Sequence, residues 1–186
     1  MNIYDFDDTI FDGDSSVCFI KYSLVRHPLL VITSFIKGII PFIKYLFKSA
    51  SLGDVKGVLF SFVSKIDNFQ LYMDEYVLKY QDNIKPYYLE LHKSSDVVIS
   101  ASFSFIVEPL CKKLDINNVI ATNYDVKTGS IIGKNCKGEE KIRRFNELYK
   151  DSIVEFAYSD SLSDIPMFNR AKKAYIVKGY KLIPYK

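Results

Sequence analysis

Asp5-Phe6-Asp7-Asp8-Thr9 follows the short run Asn2-Ile3-Tyr4, and its reading decides the fold. The run predicts a strand over 2–6, so Asp5 and Asp7 fall where that strand gives way to a loop. Regular strand geometry would point both carboxylates to one face, and a turn there splays them around one reacting centre. One carboxylate can then attack while the other moves a proton, and a divalent cation offsets their mutual repulsion.

Working outward, strands and helices alternate from Val97 to Val177. The pattern predicts strands over 97–100, 118–123, 153–158 and 174–177 and helices over 104–114, 138–150 and 163–171, with a hairpin around Lys127-Thr128-Gly129. Such alternation implies an α/β fold, a Rossmann-like, mainly parallel sheet with helices on both faces, to which the first strand belongs. Between residues 14 and 93 the texture differs, with long apolar and aromatic segments at helical spacing. This block reads as an inserted all-α cap over residues 14–93. The core is then 1–13 and 94–186, and the cap lies over the carboxyl edge of the sheet, where open α/β sheets bind ligands.

Composition narrows the function. The 186 residues include 14 Phe and 14 Tyr but no Trp, ample material for a core, and a formal charge of +3 is too small to argue for nucleic acid. Cys18, Cys111 and Cys136 lie far apart with no CxxC pair, and His27 and His92 are the only histidines, so neither a zinc site nor a disulfide framework is expected. A reducing cytoplasm fits. The first strand begins beside Met1 and leaves no room for a signal peptide.

Four elements carry chemistry: Asp5 and Asp7 with Thr9; Ser100 after Val97-Val98-Ile99; Lys141 in the helix that follows Gly138; and Asp160 with Asp164 after Val154–Tyr158. The acidic and hydroxyl groups sit at carboxyl ends of predicted strands, so a parallel sheet gathers them on one edge. Taken singly, each has a plain reading. Asp7-Asp8-Thr9 can cap a helix, Ser100 can end a strand, Lys141 can be a solvated charge, and Asp160 and Asp164 can complement a helix dipole. Those readings leave unexplained why all four occur together in this order.

The pattern resembles the haloacid-dehalogenase superfamily of aspartate-nucleophile phosphatases, with its DxDxT, strand-end Ser, Lys and DxxxD motifs. The wording around Lys141 and Asp160-Ser161-Leu162-Ser163-Asp164 is similar to the phosphoserine-phosphatase-like branch, except that Ser159 stands where many members have Gly. The resemblance implies a Mg²⁺-dependent phosphomonoester hydrolase. Asp5 would form an aspartyl-phosphate, and Asp7 would protonate the leaving oxygen and then activate water. Mg²⁺ would be held by Asp5, the Asp7 carbonyl and Asp160, with Asp164 supporting that shell or Lys141. Thr9, Ser100, the Ala101 amide and Lys141 would bind the phosphate. A phosphotransferase or mutase, or a non-catalytic phospholigand- or membrane-binding module, are the rivals.

Leu29–Phe47 has about the ~20 residues of a membrane span, but Lys37, Gly38, Pro41 and Lys44 interrupt it. Two lysines at mid-bilayer would cost roughly 2.5–3.5 kcal/mol each, so a span is disfavoured. Ser34, Lys37, Pro41, Lys44 and Lys48 instead form one polar stripe on a helix kinked or broken near Pro41. Three readings compete for it: a cap helix with lysines in water, a membrane-surface helix giving peripheral membrane contact, and a pocket whose lysines attract an anionic substrate. The last two suit an amphiphilic or lipid phosphate rather than a small zwitterion. Phe60, Phe62, Tyr72, Tyr76 and Tyr88 read mainly as core between cap helices.

Overall fold

A computed structural model describes residues 1–186. The central sheet has six strands in the order β3-β2-β1-β6-β7-β8: β1 (Asn2–Tyr4), β2 (Val97–Phe103), β3 (Val119–Thr122), β6 (Phe156–Ser159), β7 (Lys173–Lys178) and β8 (Lys181–Pro184). β4 (Tyr124–Asp125) and β5 (Ser130–Ile131) form a separate hairpin. All neighbours in the main sheet pair parallel except β7 and β8. β1 lies in the middle, with Ile3 opposite Val97 on one side and Ala157 on the other.

Period-2 alternation sorts the core onto the two faces of this sheet. Ile3, Val97, Ile99 and Ala157 face α7 (Glu139–Tyr149) and α8 (Ile165–Arg170), whose Phe145, Met167 and Phe168 are buried there. Tyr4, Val98 and Tyr158 face the other way, toward α6 (Ser104–Lys112) and the helices that separate β1 from β2. On that side Tyr4 stacks on Tyr158 at 4.5 Å, and Tyr88 meets Tyr4 edge-on at 4.8 Å.

Between β1 and β2 the chain has no strand. It runs through α1 (Ser15–Arg26), α2 (Pro28–Leu46), α3 (Leu52–Leu59), α4 (Phe69–Tyr80) and α5 (Pro86–Leu91). Asp14 caps α1 by accepting from the Val17 amide, and Ser51 with Asp54 forms a reciprocal capping box on α3. Phe19 gathers Phe60, Phe62, Tyr72 and Tyr76 around its ring, so the aromatics of this block are core.

Three expectations need correction. β1 stops at Tyr4 rather than Phe6, because Ile10 and Phe11 both donate to the Phe6 carbonyl and Asp8 takes φ +52°, which turns the chain off the sheet. α2 is one continuous helix through Pro41, so of the expected kink or break the break does not occur. Its stripe is also not uniformly solvated: Ser34 is buried with Val31 and Gly38 against α3 and the turn after it, its hydroxyl 3.2 Å from that of Ser61.

Candidate active site

The carboxyl ends of β1, β2 and β6 open onto a polar pocket of about 240 Å³ lined by Asp5, Asp7, Ala101, Lys141, Asp160 and Asp164, among others. Asp5 leaves β1 with its amide bonded to the Tyr158 carbonyl at 2.9 Å, which fixes it beside β6. Lys141 is 2% exposed, and its ammonium donates to Asp5 Oδ1 and to Asp164 Oδ2, both at 2.7 Å. Burial works against the lysine's charge, but the two carboxylates more than offset it and hold Lys141 above the usual lysine range. Burial pushes the Asp5 carboxyl up, against the pull of the same ammonium.

Asp7 is held at both oxygens. The Ser15 amide donates to Oδ1 at 2.7 Å, and the Ser102 hydroxyl donates to Oδ2 at 2.5 Å. Since the Ser102 proton is committed to Asp7, the Ser16 hydroxyl must supply the 2.9 Å bond to Ser102. Burial nevertheless pushes Asp7 up to about 6, close to the range in which one group can both give and take a proton.

Asp164 is 1% exposed, and Ser159 donates to its Oδ2 at 2.7 Å. The hydroxyl at position 159 therefore helps hold the acidic pair, which glycine could not do. Asp160 lies at the rim against Asp5, and burial of its inner side together with the Asp5 and Asp8 carboxylates raises it.

The sequence-predicted phosphate contacts divide. Ala101 and Lys141 line the pocket, whereas Thr9 and Ser100 are fully buried and lie outside its lining. The Thr9 hydroxyl oxygen accepts from the Asp160 amide at 2.9 Å, and its carbonyl accepts from the Tyr87 hydroxyl at 2.7 Å. Thr9 thus bolts the two acidic loops together. Ser100 Oγ accepts from the Ser102 amide at 3.0 Å, which braces the loop after Ile99. We expect Thr9→Val to cost about 1–3 kcal/mol by leaving the Asp160 amide unpaired, read as a lower denaturation midpoint in EDTA.

Sequence reasoning missed several lysines. Lys56 of α3 donates to the Ala101 carbonyl at 2.9 Å and lines the pocket with Lys137. Lys85, 2% exposed, donates to the Asp8 carbonyl and, at 2.8 Å, to that of Gly179, clamping the loop after Asp7. In the sequence these resemble the many solvated lysines of the chain. Only the Lys85-Pro86 step after the apolar Ile84 hinted at a buried position.

No three His, Cys, Asp and Glu side chains gather as a cage able to hold a metal alone. The donor set still fits a hard divalent cation. Asp5 and Asp160 bring two carboxylates together, and the buried Asp164 Oδ1 has no partner. Main-chain and water oxygens would complete such a shell. The Asp7 carboxylate is committed to Ser15 and Ser102, so only its carbonyl is available for that role.

A family model described as haloacid dehalogenase-like hydrolase matches residues 3–169. The chain belongs to this family. A probable phosphatase of Mycobacterium tuberculosis is 34% identical over 88 residues, covering 44% of this chain and 31% of that protein. The chain therefore matches only about a third of that relative's length. Among solved structures, a Bordetella pertussis protein of unknown function superposes with a TM-score of 0.76 at 14% identity, covering 95% of this chain and 88% of that one. A phospho-aspartyl intermediate analogue of phosphoserine phosphatase gives a TM-score of 0.57 at 18% identity, covering 94% and 84%. At these identities the likeness is one of fold, and it places this haloacid dehalogenase-like chain in the α/β class read from its strand alternation.

Proposed function

We propose that this hydrolase cleaves phosphomonoesters through an aspartyl-phosphate on Asp5, with residues 14–93 serving as a cap. The observation that carries the reading is the pairing of Asp5, held by Lys141, with Asp7, held by Ser15 and Ser102 and raised to about 6. A carboxylate poised to attack thus sits two residues from a carboxyl poised to deliver a proton, a division that carbon–halogen cleavage does not need.

In the first half-reaction an Asp5 oxygen forms a bond to phosphorus as the ester P–O bond breaks, and Asp7 gives its proton to the departing oxygen. In the second, Asp7 takes a proton from water as the water oxygen attacks phosphorus, which releases phosphate and frees Asp5. Lys141 offsets the charge that builds on the phosphoryl oxygens, and the Ala101 backbone flanks them. Mg²⁺, held by Asp5, Asp160 and the Asp7 carbonyl with Asp164 supporting the shell, would supply further charge neutralisation. Ser102 and Ser16 keep the Asp7 carboxyl oriented through both steps.

Only Leu52 and Ala101 among the pocket residues are apolar. The pocket therefore suits a phosphate head, with the bulk of the substrate outside it, as in an amphiphilic or lipid phosphate. Three thiols, none paired, accord with a reducing cytoplasm. The test is phosphate release from an aryl phosphate and from a panel of natural phosphomonoesters. We expect release with Mg²⁺ and a loss of at least about a hundredfold in EDTA. Release unaffected by EDTA would exclude the metal, and no release from any ester would remove the hydrolase reading.

A further inference from the structure

α2 is covered on a narrow side only. Val31, Ser34 and Gly38 face α3 and the turn after it, and a Cβ built on Gly38 would stand 2.7 Å from Leu59 Cδ2, so the two helices touch closely. Away from that contact the helix is apolar and bare. Leu29, Ile36, Ile40 and Leu46 are 78%, 61%, 64% and 62% exposed, and Phe42 and Ile43 are about half exposed. At 100° per residue the exposed apolar positions, from Phe42 round to Ile40, sweep roughly 160°. Lys37 and Lys44 project from the flank between that arc and the buried side, with Lys48 just past the helix end.

A monomer in water rarely leaves so large a contiguous apolar surface bare. Two observations select its occupant. A two-helix seam needs only two apolar positions in seven, and this arc is much wider. Between Asp14 and Asp54 the chain also has no Asp or Glu but five bases, Lys21, Arg26, Lys37, Lys44 and Lys48. A second copy docked face to face would bring these bases together with no acid in the helix to pair them. An anionic bilayer supplies what the face lacks, acyl chains for the arc and phosphates for the lysines.

We propose that α2 docks this protein on anionic membrane surfaces, lying in the interface with its apolar arc immersed and its lysines at the headgroups. From the flank beside the arc, Lys37 and Lys44 can lay their stems along its edge and reach outward, as lysines do at such boundaries. α3, against which α2 packs, lines the active-site pocket through Leu52 and Lys56, so docking holds the pocket one helix from the lipid. The docking does not depend on the catalytic reading, and its test reads binding alone.

The test is flotation of the full chain with vesicles of phosphatidylcholine, with and without phosphatidylglycerol, at low and high salt. We expect binding to the anionic vesicles at least about tenfold tighter than to the neutral ones, and weakened by salt. Ile36→Asp with Ile39→Asp should abolish binding, and Lys37→Gln with Lys44→Gln should erase the anionic preference. Because the chain has no Trp, Phe42→Trp supplies a single reporter whose emission should shift to the blue on anionic vesicles. That reporter keeps the proposal testable if the double Asp variant fails to fold. Wild-type protein that stays unbound, or a reporter that does not shift, overturns the proposal. A vesicle-indifferent dimer that Ile36→Asp dissociates would assign the face to a second copy instead.

Discussion

Asp5→Asn is expected to reduce phosphate release by at least about a thousandfold, because only binding and electrostatic stabilisation remain once the attacking group is gone. The change is nearly isosteric, and Lys141 keeps its second partner, Asp164 Oδ2 at 2.7 Å. The fold should therefore survive, and loss of activity will report chemistry rather than unfolding. Brief incubation of wild type with a ³²P-labelled ester followed by acid quench should trap label on the protein, and the variant should trap none. Asp7→Asn should separate the half-reactions differently. An ester with a good leaving group needs little acid in the first step, so label should accumulate while turnover falls. Turnover that survives Asp5→Asn would assign the nucleophile elsewhere.

Lys141→Met is expected to give the largest loss of stability. The ammonium sits between two buried carboxylates, and its removal leaves Asp5 and Asp164 facing each other without a counter-charge. Breaking a buried pair in this way costs about 3–5 kcal/mol. For a chain of this size that lowers Tm by roughly 6–20 °C, measured in EDTA so that no cation substitutes. The deficit should depend on pH with a definite sign. An unpaired buried carboxyl has a folded pKa above its unfolded one, so the folded form takes up protons more readily and the variant regains stability as pH falls. A deficit that instead widens toward acid would mean the carboxylates had found other partners.

Much of this architecture is legible in the sequence, for identifiable reasons. β2 reads as a strand because burial on both faces demands a continuous apolar run, and Val97-Val98-Ile99 supplies it. Asp5, Asp7, Asp160 and Asp164 are legible because acids that follow such runs fall on one edge of a parallel sheet. β8 is not, since Lys181-Leu182-Ile183-Pro184 is an edge strand, short and half exposed, with a proline that central strands exclude. The bond from the Asp160 amide to the Thr9 hydroxyl is not legible either, because motif position says nothing about where a hydroxyl turns and that amide lies 151 residues away. Lys56 and Lys85 were missed because a lysine's burial is decided by tertiary packing, which the local pattern does not carry.

β1 has consequences for how the molecule is made. It precedes every other strand of its sheet along the chain, yet it lies between β2 and β6, and its Asp5 reaches Lys141 across 136 residues of chain. During synthesis Asn2–Tyr4 can pair with β2 once Val97–Phe103 has emerged, but the other edge of β1 stays open until Phe156–Ser159 arrives. Assembly of the acidic cluster is thus a late event, governed by contacts of long sequence separation that close slowly. A nascent chain stalled before β6 would expose an unpaired central strand, the kind of edge that recruits chaperones or aggregates.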